Sequence, residues 1–377
     1  MISRKFRYPK NHSFFLLGPR GTGKSYFIRY EFPHAIYINL LEDQVYQPLL
    51  ANPSRLKDMI PSKFRDWVII DEIQKIPALL DEVHRLIEEA RLKFVLTGSS
   101  VRKLKRAGVN LLAGRAYTHH AFPLTALELQ DNFEVKKALQ SGLLPKAYLE
   151  ENFKSYLSSY VATYLKEEIQ QEGMVRNISG FARFLEAASF SQGQVLNFSK
   201  VAEDCSIERK TVGNYFQMLE DLLLAHFIDV FSLRAKRELI KHRKFYFFDV
   251  GVFLQTRLRG PLDSEQELMG AAVETLVLQE ILARIEYQNW DYKLFFWHTK
   301  NHVEVDFILY GQRGLVAIEV KASSRLRKVD YDGLLEFKKD YPKAKLILVY
   351  NGSEKKILHD IEIIPLEVFL KRMENWC

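Results

Sequence analysis

The stretch FFLLGPRGTGKS at residues 14–25 constrains this chain more than any other feature. Its apolar start predicts a buried strand, a helical pattern begins at Lys24, and the loop between them follows the G-x-x-x-x-G-K-[ST] pattern of a phosphate-binding loop. Glycines let the backbone curl until its N–H groups point at phosphate oxygens, and the helix N-terminus adds a positive dipole. Lys24 is predicted to reach the β- and γ-phosphates of ATP, and the Ser25 hydroxyl to bind Mg²⁺. The predicted nucleotide-binding residues of this loop are Gly18, Pro19, Arg20, Gly21, Thr22, Gly23, Lys24 and Ser25.

A second strand is predicted at residues 35–40, and a later apolar strand at residues 67–70 ends in the acidic pair Asp71-Glu72. Asp71 would hold Mg²⁺ directly or through water, and Glu72 would polarise the water that attacks the γ-phosphate. The same letters are also typical of a strand followed by the acidic N-terminus of a helix. Their place downstream of a phosphate-binding loop favours the ATPase interpretation.

Two further segments supply candidate residues for contact with the γ-phosphate. The strand at residues 93–96 ends in TGSS, and either Thr97 or Ser99 would sense the phosphate from its tip. The sequence does not choose between them, and an ordinary capped turn is an equal alternative. Arg115 could stabilise transition-state charge, in cis or from a neighbouring subunit of a homo-oligomer, although a surface arginine explains it equally well.

Strands alternate with helical patterns through this first region, which predicts an α/β domain with a parallel sheet covered on both faces. Ligands of such sheets bind at the carboxyl ends of the strands. The phosphate-binding loop and the Asp71-Glu72 pair both follow strand ends, so the two assignments agree with each other.

Four segments in this order, at residues 18–25, 71–77, 96–100 and 112–124, resemble the prokaryotic AAA-type ATPases that carry a C-terminal domain of unknown function. The resemblance spans almost the whole chain. It implies a P-loop NTPase (AAA-type) domain that uses ATP and Mg²⁺, followed by a winged helix and an α/β restriction-endonuclease-like domain. A ring of subunits is plausible for this class by analogy.

The middle of the chain reads as helical. Residues 148–171 carry apolar residues at helical spacing, which predicts one long helix in a helical lid. Residues 197–205 predict a shorter helix, and Ser206 is the predicted N-cap of the helix after it.

That second helix and a basic segment before the strand at residues 244–248 have the outline of a winged helix. The predicted DNA contacts are Arg209, Lys210 and Asn214, which face outward from the helix, and Arg243 of the basic segment. A winged helix that serves only for packing, with a solvated charged face, is the alternative.

Near the C-terminus, residues 302–310 and 315–321 alternate like two strands joined by a turn at residues 311–314. A turn centred between Gln312 and Arg313 would fix the register and set Asp306 opposite Glu319.

Facing carboxylates repel each other unless a cation lies between them. With Lys321, the pair has the D…E-x-K arrangement of PD-(D/E)xK nucleases. Asp306 and Glu319 would bind Mg²⁺ or Mn²⁺, and Lys321 would help to activate water or steady the phosphate. Glu274 lies on an apolar face of a helix predicted over residues 270–283 and is the fourth candidate. A cross-strand ladder in which Lys321 is shared by Glu304 and Asp306 is the alternative.

Composition fits these predictions. The net charge of +7 is compatible with DNA as a partner. Cys205 and Cys377 are the only cysteines, which suits a reducing, cytoplasmic compartment. No apolar stretch is long enough for a membrane-spanning helix, and no membrane partner is expected. The predicted domains are an ATPase domain at 1–125, a helical lid at 126–180, a winged helix at 181–250 and a restriction-endonuclease-like domain at 251–377.

The sequence thus predicts an ATP hydrolase that acts on DNA and whose nucleotide state controls a nuclease-like site. A second hypothesis keeps the ATPase and makes the rest an inactive module that docks DNA or a protein. A third is a remodeller of protein partners with no role on nucleic acid.

Overall fold

A computed structural model of the protein describes residues 2–100, 104, 112, 114–164, 177–233, 238–240, 242–261 and 263–377. The chain divides into two compact units. The N-terminal unit holds residues 6–123 and 218–224, and the C-terminal unit holds residues 1–5, 124–217 and 225–377.

The N-terminal unit is built on a five-stranded sheet in the order β2-β3-β4-β1-β5, and its paired strands are all parallel. The strands are β1 (Ser13–Leu17), β2 (Ile36–Asn39), β3 (Trp67–Asp71), β4 (Lys93–Gly98) and β5 (Ala116–His120). The helices are α1 (Lys24–Glu31), α2 (Asp43–Ala51) and α3 (Leu79–Ala90). Every residue of β1 and β3 is buried, and since side chains alternate between the two faces of a strand, both faces are covered. The predicted parallel α/β sheet is confirmed, with β5 as a strand that the sequence did not indicate.

The C-terminal unit is built on a nine-stranded mixed sheet in the order β13-β14-β12-β11-β10-β9-β7-β8-β6. Its strands are β6 (Gln194–Val195), β7 (Ala225–Val230), β8 (Lys244–Phe247), β9 (Tyr292–His298), β10 (Glu304–Gly311), β11 (Gly314–Lys321), β12 (Lys345–Tyr350), β13 (Lys356–Leu358) and β14 (Ile361–Pro365). The helices are α4 (Ala126–Leu129), α5 (Val135–Ser141), α6 (Pro145–Leu149), α7 (Phe153–Ser159), α8 (Ile178–Ser189), α9 (Phe198–Cys205), α10 (Arg209–Asp221), α11 (Val250–Thr256), α12 (Glu265–Tyr287), α13 (Asp332–Asp340) and α14 (Leu366–Lys371).

One strand pair joins the middle of the chain to its C-terminal part. β7 pairs with β8 in antiparallel fashion and with β9 in parallel, through Asp229↔Phe295 and Val230↔Phe296. The short β6 pairs with β8. Along the chain, the elements from α8 to β8 follow one another as helix, strand, two helices and two strands. The boundaries of the four predicted domains stay a prediction.

The prediction of one long helix over residues 148–171 is wrong. Helix α6 ends at Leu149, α7 begins at Phe153, and a π-helical turn follows at Tyr160–Tyr164. Residues 165–171 lie outside the described part of the chain. The break follows Tyr148, whose hydroxyl donates to the Asn132 carbonyl at 2.9 Å and accepts from the Glu134 N–H at 2.9 Å. These tertiary hydrogen bonds fix the end of α6 against a helical sequence pattern.

Two other helix boundaries also differ from the prediction. Ser206 is not an N-cap; it ends α9 in the left-handed conformation, with φ 53°, and its N–H donates to the Glu203 carbonyl. Helix α12 extends beyond the predicted 270–283 at both ends, and Ser264 caps it by accepting from the Glu267 N–H. No helix in the described ranges is both long and apolar enough to cross a membrane.

Candidate functional site

The phosphate-binding loop of the N-terminal unit has backbone geometry that its glycines make possible. Gly21 and Gly23 have φ of 83° and 87°, in the left-handed region that glycine enters without cost. A Cβ on Gly18 would lie 2.4 Å from the Ala121 carbonyl oxygen, so only glycine fits there. Helix α1 begins at Lys24 directly after Gly23, as the motif requires.

The Lys24 ammonium is buried within its own loop. Its Nζ donates to the carbonyls of Gly18 at 2.6 Å and Pro19 at 3.0 Å, and Thr22 also donates to Pro19 at 2.8 Å. The loop therefore curls around a positive charge, which is the arrangement that a β- or γ-phosphate needs.

Asp71, at the end of β3, accepts hydrogen bonds from three hydroxyl groups. Ser25 Oγ donates to Asp71 Oδ2 at 2.9 Å, and the hydroxyls of Tyr37 and Thr97 donate to the same carboxylate. Ser25 and Asp71, both predicted Mg²⁺ ligands, are thus brought together. Tyr37 was missed, since a tyrosine in a short apolar strand has no sequence signal that separates a site residue from packing.

Glu72 has its own set of contacts. It takes the left-handed conformation with φ 64°, and its carboxylate accepts from Gln74 Nε2 and from Ser99 Oγ, the latter at 3.2 Å. Gln74 also donates to Ser99 at 3.0 Å. The sequence left Thr97 and Ser99 open as alternatives. In the structure the Thr97 hydroxyl donates to Asp71 and the Ser99 hydroxyl donates to Glu72. Gln74 was missed as a residue that holds Glu72.

Arg115 lies away from these groups. It immediately precedes β5, whose first residue Ala116 pairs with Ser13 at the start of β1, whereas the phosphate-binding loop follows the end of β1. At about 3.3 Å per residue along β1, these two ends of the strands are more than 10 Å apart. The Arg115 guanidinium donates to Glu88 of α3, which lowers the pKa of that carboxyl. The structure therefore does not bring Arg115 to the loop of its own subunit.

The C-terminal unit has a second candidate site, at the hairpin of β10 and β11. Gly311↔Gly314 and Phe307↔Ile318 pair in the predicted register, and beyond them the Val320 N–H donates to Asp306 Oδ2 at 2.9 Å. Asp306 and Lys321 line a cavity of about 700 Å³, together with Glu274.

Within this site Lys321 pairs with its own neighbour in the strand. Lys321 Nζ lies 2.5 Å from Glu319 Oε1, so the ladder in which Lys321 is shared by Glu304 and Asp306 is not formed. Glu319 Oε2 is buried without a hydrogen-bond partner. Burial and the nearby charge of Asp306 raise the pKa of Glu319 to about 8, against the opposing effect of Lys321.

The sequence missed the central residue of this cluster, Lys244. In the sequence it stands where the basic segment meets the strand at residues 244–248, but it is only 1% exposed. Its Nζ lies 3.2 Å from Glu274 Oε1 and 3.6 Å from Asp306 Oδ1, and it also forms a salt bridge with Glu304. Burial alone would lower the pKa of Lys244, but these carboxylates raise it.

The sequence did contain a signal that Lys244 shares the surroundings of Tyr246. Side chains alternate between the two faces of a strand, so Lys244 and Tyr246 of β8 lie on one face. The Tyr246 hydroxyl donates to Glu274, and burial raises the pKa of Glu274 to about 7. Glu274 is therefore held by Lys244 and Tyr246, which supply the partners that its position on an apolar helix face required.

Among the described residues, no group of three or more His, Cys, Asp or Glu side chains is arranged to hold a metal ion. Glu274 and Asp306 share an ammonium instead. Magnesium needs only one or two carboxylates when waters complete its shell, and Asp306 with Glu319 offers two. A Mg²⁺ or Mn²⁺ ion at that pair stays a prediction.

The predicted DNA contacts occupy two different settings. Arg209, Lys210 and Asn214 are exposed on α10. Arg243 is half-buried, and its guanidinium lies 4.5 Å from the centre of the Phe227 ring. Most other basic residues of the predicted segment, at 234–237 and 241, lie outside the described part of the chain.

Comparison with known families assigns the N-terminal region of the chain to a family of domains. Residues 10–130 match the model of an AAA domain. Residues 132–261 and 269–369 match two models described as domains of unknown function, DUF8612 and DUF4143. The chain thus carries an N-terminal AAA domain, which implies nucleotide and Mg²⁺ use and P-loop ATPase activity, followed by domains of unknown function. The predicted resemblance is confirmed at this level.

Three individual proteins are also similar to this chain. An uncharacterized protein of Haemophilus influenzae is 23% identical over 329 residues, which cover 81% of this chain and 78% of that protein. The Aeropyrum pernix ORC1 protein, solved in complex with DNA, is 16% identical over 66% of this chain and 87% of its own, with a TM-score of 0.27. Protein VC1899 from Vibrio cholerae is 12% identical over 90% of this chain and 96% of its own, with a TM-score of 0.22.

Proposed function

We propose that the protein is a Mg²⁺-dependent ATPase that acts on DNA and whose nucleotide state controls the C-terminal unit. The observation that carries the ATPase part is the set of three hydroxyls on Asp71 beside the curled loop around Lys24. The AAA match over residues 10–130 supports the same assignment.

The residues of the N-terminal unit divide the reaction between them. When ATP binds, Lys24 would exchange its hydrogen bonds to the loop carbonyls for contacts with the phosphates. Ser25 and Asp71 would hold Mg²⁺, which neutralises the charge on the transferred phosphoryl group. Glu72 would orient the attacking water, and Gln74 and Ser99 fix its carboxylate. Arg115 could act only from a neighbouring subunit, since it lies at the amino ends of the strands of its own sheet, whereas the phosphate-binding loop follows the carboxyl end of β1.

In the C-terminal unit, nuclease-type chemistry is supported by Glu319. A buried carboxylate oxygen without a partner is costly, and a divalent cation shared with Asp306 would compensate it. Lys321, held by Glu319, would steady a phosphodiester in the cavity.

A second candidate function is a nucleotide-dependent switch that docks DNA or a protein and does not cleave. The observation that favours it is Lys244, whose ammonium already forms ion pairs with Glu274, Glu304 and Asp306 from within the chain. A cation that belongs to the chain can hold these carboxylates together without a metal ion and without catalysis.

The deciding experiment is a plasmid and oligonucleotide cleavage assay with Mg²⁺ or Mn²⁺, with and without ATP. Lys24→Ala is expected to lower ATP hydrolysis about 100-fold or more, because it removes a charge that stabilises the transition state. Asp306→Ala should abolish cleavage and leave ATP hydrolysis intact. Lys57→Ala and Asp291→Ala change exposed residues of the same types and serve as controls.

Cleavage that is lost in Asp306→Ala and altered in Lys24→Ala would support a nucleotide-gated nuclease. Hydrolysis without any cleavage would leave the switch as the function. ATP hydrolysis that is unchanged in Lys24→Ala would contradict the ATPase proposal itself.

The helix–strand order of α8 to β8, with exposed basic residues on α10, supports a winged helix that binds DNA. The double variant Arg209→Ala/Lys210→Ala is expected to weaken DNA binding about 10-fold and to flatten the salt dependence of log K by about one unit for each phosphate that is no longer neutralised. Fluorescence anisotropy over a salt series measures both. Lys355→Ala/Lys356→Ala, at two exposed lysines, is the matched control, and equal effects of the two double variants would argue against DNA binding by α10.

A further inference from the structure

The strongest unexplained feature of the C-terminal unit is the depth of Lys244 within a group of carboxylates. Three carboxylates from two elements meet its ammonium: Glu274 from α12, and Glu304 and Asp306 from β10. One ion pair would satisfy a lysine that only stabilises the fold. Three place it where carboxylates normally converge on a metal ion.

The charges of the cluster are unequally distributed. Two ammonium groups, those of Lys244 and Lys321, face four carboxyl groups. On the Lys244 side one ammonium group faces three carboxylates, and Tyr246 adds a hydrogen bond to Glu274. On the Glu319 side Oε2 is buried and unpartnered, and the whole residue is only 7% exposed. When all four carboxyl groups are ionised, the cluster therefore carries two negative charges that no ammonium balances, and Glu319 Oε2 is a buried oxygen that no donor reaches.

We propose that Lys244 is a positioning residue that fills the place of a second metal ion, so that the carboxylate cluster takes a single divalent cation at Asp306 and Glu319. This inference rests on the proposed metal site. Phosphodiester hydrolysis by two ions needs a cation on each side of a shared carboxylate. Asp306 is the carboxylate that would be shared here, because Lys244 Nζ lies 3.6 Å from its Oδ1 and the Val320 N–H, next to Glu319 in β11, donates to its Oδ2 at 2.9 Å.

The test counts Mn²⁺ ions bound by the full chain, by electron paramagnetic resonance and calorimetry. All proteins carry Asp71→Asn and receive no nucleotide, so that the N-terminal unit does not contribute to the count. The parent protein is expected to bind one uncoupled Mn²⁺ at the C-terminal site. Lys244→Met should bind two, with the spin coupling of neighbouring ions, and Lys244→Arg should return to one. Circular dichroism confirms folding.

Each outcome bears on one of the two proposals. A folded Lys244→Met protein that still binds one ion would overturn the inference and keep the proposed metal site. No binding in any variant would overturn both. Binding of one ion only after Lys244→Met would also overturn both, because Lys244 would then occupy the single cation position of the cluster.

If Lys244→Met does not fold, Lys244→Gln/Glu304→Gln removes one positive and one negative charge together and is expected to bind two ions. The parent protein provides a test that needs no variant at Lys244. A second, spin-coupled Mn²⁺ at saturation in that protein would overturn the inference.

Discussion

Replacement of Glu72 by Gln is expected to lower ATP turnover by about 10²- to 10⁴-fold, while nucleotide binding is retained. Gln keeps the shape of Glu72 and can still contact Gln74 and Ser99, but it cannot draw a proton from the attacking water. Because the change leaves Lys24, Ser25 and Asp71 untouched, the affinity for ATP should stay within a few-fold. Single-turnover hydrolysis and equilibrium binding of a fluorescent nucleotide measure the two quantities separately.

Glu89→Gln, at an exposed position of α3, is the matched control. An equal loss in both variants would mean that the change acts through folding. Unchanged turnover in Glu72→Gln would remove Glu72 from the reaction and point to another water-orienting group.

Replacement of Glu280 by Gln is expected to stabilise the C-terminal unit at pH 8. Glu280 is 1% exposed; its Oε1 accepts from the Ala126 N–H at 2.7 Å, and its Oε2 has no partner. Burial raises the pKa of Glu280 to about 7, against the opposing effect of Arg284. At 1.36 kcal/mol per pKa unit, ionisation of Glu280 at pH 8 costs up to about 3 kcal/mol, which Gln would avoid.

The sign of the pH dependence follows from this shift. The folded protein holds the proton of Glu280 more tightly than the unfolded chain does, so this carboxyl favours folding at low pH and the effect is lost as the pH rises towards 7. Urea unfolding at pH 5 and pH 8 should therefore show a gap between Glu280→Gln and the natural protein that widens with pH. Glu151→Gln, at an exposed position, should show no such gap, and a constant difference for Glu280→Gln would refute the assignment.

Local patterns in the sequence predicted much of both sites. The phosphate-binding loop is a contiguous motif whose glycines are required by its own backbone, and Asp71 and Glu72 follow a strand that is apolar on both faces. The β10–β11 register was predicted because a short turn at residues 311–314 fixes every pair beyond it. In each of these cases the deciding interactions join residues close together in the chain.

Other predictions depended on neighbours that the sequence does not show. Ser206 ends one helix rather than beginning the next because the chain turns there in the left-handed conformation. The helix over residues 148–171 breaks because Tyr148 is tied to the loop at residues 132–134. Arg115 fitted the sequence pattern, but β5 begins at the end of the strands opposite to the phosphate-binding loop.

By itself, the sequence determined the parallel α/β domain, the phosphate-binding loop and the register of the β10–β11 hairpin from Phe307 to Ile318, since short-range backbone geometry specifies each of them. Only the tertiary structure decided the roles of Tyr37, Gln74 and Lys244. A lysine in a basic segment has the same sequence signature whether it is solvated or buried among carboxylates. Glu274 and Asp306 lie 30 and 62 residues beyond Lys244 in the chain, and only the packing of α12 and β10 beside β8 brings their charges to its ammonium.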